Sequence, residues 1–260
     1  MMPTLRAEFK KLFTVRSTYV VSLTVLLFVG GLISFYGQGY KTDPSELNSL
    51  FLAGTVQVVS SVIAIAAAVV ALLLLAHEYR YGTIVYTLVN SNSRSKVLAA
   101  KIITVLVFVF GLSLIVTSVS LGLIVAGVAA AGRTLPHQDI NVFVYLIKSI
   151  FLCEGYALVG LLLAALVRNL VGALVILLIV PNTVEGLLSL LLKHNSVYMP
   201  FTALSQVVRP PVLAVAANTK NPLGDTGYLS PTKGALVFLV YLVAGWIITW
   251  YLFLRRDATT

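Results

Sequence analysis

The stretch LNSLFLAGTVQVVSSVIAIAAAVVALLLLA, Leu47–Ala76, runs for thirty residues without a charge. It is followed by a polar island, HEYRYGT at His77–Thr83 through RSKVLAAK at Arg94–Lys101, and then by a second uncharged stretch, Ile102–Gly132. Each uncharged stretch exceeds the roughly 20 apolar residues that carry a helix across a bilayer. The island between them is therefore a membrane-edge loop with local structure of its own. A β-barrel is disfavoured, because its strands would be ~10 residues of alternating polarity rather than continuous apolar runs.

Working outward, similar windows recur at about 17–37, 53–76, 102–126, 142–167, 169–192 and 234–254. The expected fold is an all-α polytopic membrane protein, one transmembrane domain over 1–260 with six membrane helices. The composition agrees: 59% hydrophobic, 10% charged and a mean hydropathy of +0.98. Residues 17–37 are too long for a signal-peptide core and no small-x-small cleavage site follows, so this segment is expected to be a retained first helix. The single cysteine, Cys153, falls inside the fourth window and excludes an intrachain disulfide.

Six spans put both termini on one side. Arg6, Lys10, Lys11, Arg16, Arg80, Arg94, Lys96, Lys101, Arg168, Arg255 and Arg256 would share that side, against six basic residues opposite, mostly in longer loops. By the positive-inside rule the termini and the island are cytoplasmic, as in a multi-pass protein of the plasma membrane. The net charge of +9 then reads as topology and contact with anionic lipid, not nucleic-acid binding.

Residues 1–16 place Leu5, Phe9, Leu12 and Phe13 on one helical stripe, with Arg6, Glu8, Lys10 and Lys11 off it. That pattern predicts an interface helix in the plane of the inner leaflet. Asp43-Pro44-Ser45 is a helix-start signal before the second span. Ser60, Ala64, Ala67, Ala68 and Ala71 give that span a small-residue face suited to close packing within the chain, and Gly155 and Gly160 do the same for the fourth. The outer loop 193–233 has an apolar stretch broken by Pro200, Pro210 and Pro211, which suits a re-entrant or interfacial segment better than a seventh span.

Hydrolytic and metal chemistry find no footing. His77-Glu78 begins an HExxH pattern, but position 81 is Tyr81. No Gly-Lys pair exists for a phosphate-binding loop, and Gly111-Leu-Ser113-Leu lacks the last glycine of a rhomboid-type motif. Lys148, Glu154 and Glu185 are the ionisable residues inside the spans. At 1.5 Å per residue they lie roughly 30, 21 and 24 Å from the Arg168-Asn169 turn, in the outer half. Unpaired charges there cost ~2.5–3.5 kcal/mol on insertion scales. A Lys148–Glu185 pair, a hydrated polar cleft and a proton relay are three ways to accommodate them. Pro181-Asn182 should bend span five and free backbone groups beside Glu185.

The island predicts a short helix across the membrane face, interrupted at Gly82, with a turn at Asn90-Ser-Asn-Ser93 whose Ser93 or Ser95 caps the next span. The run Glu78-x-Arg80-x-Gly82-Thr83, then Leu88, Ser93-Arg94 and Lys101, resembles the first cytoplasmic loop of the ABC-2 type permease family. Glu8-x-x-Lys11 is similar to that family's interface helix, and Met199-Pro200-Phe201-Thr-Ala-Leu204 to its outer re-entrant region. The chain departs from the family where a proline often precedes the Ser-Arg pair; here Ser91 and Asn92 stand.

The resemblance implies a six-span permease of an ABC transporter, mostly exporters, with no catalytic, metal or cofactor site of its own. ATP and Mg would be bound in a separate cytoplasmic ATP-binding cassette subunit. A second permease copy, identical or similar, would complete the pathway, and spans two and five would line its cleft for a hydrophobic, peptidic or lipid-like substrate. Glu78, Arg80, Gly82, Thr83 and Arg94, with Glu8 and Lys11, are the expected ATPase-coupling residues. Lys148, Glu154, Asn182 and Glu185 form the intramembrane polar set. The alternatives are a proton-coupled secondary transporter using Glu154 and Glu185, which needs an inverted repeat that the two halves do not show, and a non-transporting scaffold or immunity protein.

Overall fold

The computed structural model describes residues 2–42, 49–89, 93–130, 142–209 and 228–255. The helix-start signal at Asp43–Ser45, the turn residues Asn90–Asn92 and the prolines of the outer loop at 210 and 211 lie outside them. The described residues are helical throughout their ordered elements, with no strand among them.

Helix α1 (Met2–Thr14) is followed by α2 (Arg16–Thr42), α3 (Ser49–Arg80), the short α4 (Ile84–Val89) and α5 (Arg94–Ala130). Then come α6 (Val142–Val167), α7 (Leu170–Ile179), a π-helical turn (Val180–Val184) and α8 (Glu185–Leu192). A 3₁₀ turn (Lys193–Tyr198), α9 (Pro200–Gln206) and α10 (Pro231–Arg255) complete the order. Among the described residues, five segments are long and apolar enough to cross a membrane: Gly54–Arg80, Arg94–Ala130, Phe143–Val167, Leu170–Tyr198 and Pro231–Arg255. A sixth is reached when Thr4–Thr14 and Thr18–Ser34 are taken together across their 57° bend. That bend separates the amphipathic α1 from the apolar α2.

The core is the α3–α6 seam, the most extensive helix pair of the described residues. Its closeness follows from small residues: a Cβ on Gly160 would run into the Ala68 carbonyl oxygen, and Ala64, Ala67, Ala68 and Ala71 are all buried. Membrane helices associate through packing and hydrogen bonds rather than exclusion of water. The seam uses both, since Ser149 on α6 donates to Ser60 on α3 at 2.9 Å and lies 3.4 Å from Thr117 on α5.

Helix α5 has 37 residues. At 1.5 Å per residue it is about 55 Å long, well beyond the ~30 Å hydrocarbon thickness, so its first turns stand clear of the hydrocarbon. Helix α3 likewise continues to Arg80, so His77 and Glu78 belong to its last turns rather than to a loop. These two overlong helices and α1 meet at one end of the bundle.

Span five departs from a straight helix. Pro181 has no amide hydrogen, and the register slips to π there, with Glu185 N–H bonding Val180 O. The Asn182 side chain satisfies a neighbouring carbonyl, Leu178 O, at 3.0 Å. In this span only 11% of the membrane window is buried within the chain, against 56% for span two. Of the five segments, span two is the most enclosed and span five the most exposed.

Candidate functional site: a buried ionic junction under the exposed loop

Glu8 comes from α1, Glu78 from the end of α3 and Lys101 from α5. The Lys101 ammonium bonds Glu8 Oε2 and Glu78 Oε1, each at 2.8 Å, and the lysine is 0% exposed. Lys11 completes the junction, reaching Glu8 Oε1 at 3.0 Å, Glu78 Oε1 at 2.8 Å and Thr87 Oγ1 at 3.2 Å. Two carboxylates and two ammonium groups balance in charge. Burial works against the charged Lys11, but Glu78 and Glu8 outweigh it and hold the ammonium above its ordinary range. Four helices, α1, α3, α4 and α5, are thereby tied at one point.

Local sequence explains the placement. Val97, Lys101, Thr104 and Val105 follow helical spacing and are all buried, so Lys101 belongs to the inward stripe of α5. On α1, Leu12 shares the buried face with Glu8. Ser93 caps α5, its Oγ accepting from Lys96 N at 3.3 Å. Gly82 takes φ +66 in the turn between α3 and α4, a conformation open to glycine at no steric cost.

The expected coupling residues divide into two groups and one outlier. Glu8, Lys11 and Glu78 lie in the junction, and Glu78 is engaged with lysines of its own chain rather than turned to solvent. Arg80, Gly82 and Thr83 are exposed in the turn above it. They share that surface with Tyr81, Tyr86 and Val89, at 67%, 73% and 78% exposure. The Arg80 guanidinium lies 5.6 Å from the Tyr81 ring centre. Arg94 stands apart, its guanidinium 3.4 Å from Leu254 O at the end of α10. A cavity of about 710 Å³ opens between α1 and the α3–α4 turn, with Leu12, Val15, Leu73 and Leu74 as its apolar wall and Lys11 and Thr87 as its polar edge.

Lys101 closes the run that carries the family resemblance but is not among the expected coupling residues, and Thr87 is in neither. Lys101 carried a signal, its place on an apolar helical stripe. Thr87 carried none, because its contact spans 76 residues of sequence.

The intramembrane set is not gathered into one site. Glu185 is buried and does not meet Lys148: its Oε1 accepts from Phe201 N at 2.9 Å, and its Oε2 from Thr202 N and Thr202 Oγ1 at 2.7 Å each. The carboxylate thus caps α9, whose first amides have no intrahelical partner. That capping, not a lysine, accommodates the charge. Glu154 keeps both carboxylate oxygens buried without a hydrogen-bond partner, and Asn182 is exposed on span five. Among the described residues no three His, Cys, Asp or Glu side chains gather in a metal-binding group.

A search of curated proteins finds no match to this chain. A family model described as ABC-2 family transporter protein matches residues 2–258. That match covers α1, the ionic junction, the exposed loop and every described span, and the chain belongs to the ABC-2 transporter family.

Proposed function

We propose that this chain is the permease subunit of an ATP-driven exporter, coupled through the Arg80–Val89 surface to separate ATP-binding cassette subunits. Family membership makes it a membrane component of an ABC transporter. The observation that supports the finer reading is the ionic junction. It holds the amphipathic helix and the ends of spans two and three as one body beneath an exposed, aromatic loop. A push on that loop is then delivered to three membrane segments together. Both termini and the loop are cytoplasmic in this reading, in the plasma membrane, and ATP and Mg belong to the partner.

A second permease copy, the same or similar, is included in the proposal, because one six-span unit forms half a pathway. The apolar faces of the spans suit a hydrophobic, peptidic or lipid-like substrate. The exposed apolar flank of span five supports pairing or a lipid-facing pathway. The test is purification of the full-length chain in mild detergent. It is expected to bring down an ATP-binding cassette subunit and to lack nucleotide hydrolysis once that subunit is removed. Hydrolysis by the isolated chain, or no such partner, overturns the reading.

A further inference from the structure

Spans four and five are joined on the cytoplasmic side by only two residues, Arg168 and Asn169. Arg168 takes φ 54, the left-handed region that glycine or asparagine occupies more readily. Its amide closes α6 on Ala164 O at 3.1 Å, a bond that any residue but proline makes. Asn169 is used otherwise: its Oδ1 accepts from Gly172 N at 3.0 Å and caps α7. The backbone of the turn therefore gives no reason for an arginine.

The side chain does. The Arg168 guanidinium reaches α3, 5.6 Å from the centre of the Tyr79 ring and within reach of its hydroxyl. Tyr79 follows Glu78 of the ionic junction directly. On the other side of the turn, α7 packs against α3 and α6 and leads through the π turn to Glu185, whose carboxylate holds α9. A chain of contacts thus runs from the cytoplasmic loop to the outer segment: Glu78, Tyr79, Arg168, span five, Glu185, α9.

We propose that Arg168 is a positioning residue that ties the cytoplasmic coupling element to span five, so that displacement of the ionic junction is carried along that span to the outer segment Lys193–Arg209. The inference rests on the proposed function and deepens it, adding a second transmission point beside the α3–α5 ends. Only a link whose loss changes the far end qualifies, since spatial continuity alone is not coupling.

The experiment measures hydrogen–deuterium exchange at residues 193–209 in the full-length chain in lipid nanodiscs, alone and with the ATP-binding cassette subunit that copurifies. Arg168→Gly removes the guanidinium while suiting the left-handed turn, so the variant keeps its fold. In the chain alone, Arg168→Gly and Tyr79→Leu are each expected to raise exchange of the outer segment by about 2- to 30-fold, the range of residues along a coupled path. The double variant is expected to go no further than either single one, and Arg168→Lys to restore most of the protection. In the complex, the nucleotide-dependent change at 193–209 is expected to be lost in Arg168→Gly while the ATPase subunit stays bound. Unchanged exchange at 193–209 in Arg168→Gly, or additive effects of the two single variants, overturns the proposal, even where thermal stability falls. Absence of a copurifying ATPase subunit would overturn the functional reading instead, and the chain-alone arm still decides this one.

Discussion

At the scale of single residues, Lys101 and Lys11 make opposite cases of one chemistry. Lys101 is fully enclosed between Glu8 and Glu78, whereas 41% of the Lys11 side chain is exposed. Removing a buried partner leaves its counter-charges uncompensated and typically costs about 3–5 kcal/mol, while exposed pairs are worth about 0–1 kcal/mol. Lys101→Met should therefore lower thermal stability far more than Lys11→Met, measured by unfolding in detergent. Equal losses would show that water reaches Lys101. The raised Lys11 pKa fixes a sign. A lysine held above its unfolded value of 10.5 keeps its stabilising contribution below that pH and loses it as pH rises through the folded value. Between pH 6 and 9, roughly, Lys11 should contribute no pH dependence of stability. Gly82 supplies a third case: nothing lies within 4 Å of an added Cβ, so only the φ of +66 opposes substitution. Gly82→Ala should cost about 1–2 kcal/mol and Gly82→Asn less.

At the scale of elements, the α3–α6 seam and the π-turned fifth span set the two demands on the sequence. Gly160→Ala must push the two helix backbones apart, because the obstacle is the Ala68 carbonyl rather than a side chain that can swing away. A loss of about 1–3 kcal/mol is expected in the same unfolding assay. In span five, Glu185→Gln replaces a charged acceptor of three hydrogen bonds and should lose about 1.5–3 kcal/mol. Lys148→Met should add to it independently, since the two residues share no contact; a rescue would restore the ion pair as the explanation. The apolar windows, the amphipathic α1 and an irregularity at Pro181 were all legible, because each follows from local spacing. The α9 cap was not. Which oxygen meets Phe201 and Thr202 depends on how α8 and α9 fold back over 16 residues, and a lysine in the neighbouring span is a chemically equal candidate until that path is known. The same limit hid the division of the coupling set. Glu78 and Arg80 stand two residues apart, yet one points into the bundle and the other out of it.

At the scale of the whole molecule, tight packing and exposure are unevenly shared. Span two is enclosed, span five is bare over most of its window, and the loop after span two presents Tyr81, Tyr86 and Val89 outward. The proposed function predicts that Tyr86→Asp weakens ATPase association while leaving the unfolding temperature of the isolated chain near the parent value, because the side chain is exposed. Loss of stability without loss of association would move the docking surface elsewhere.

The ionic junction also sets an order of events during synthesis. Glu8 is made 93 residues before Lys101, and Glu78 is made 23 residues before it. Until Lys101 itself is made, the two carboxylates have Lys11 as their lysine partner. Helix α1 is thus locked to Lys101 only after α2 and α3 have been made, and its seating coincides with the start of α5.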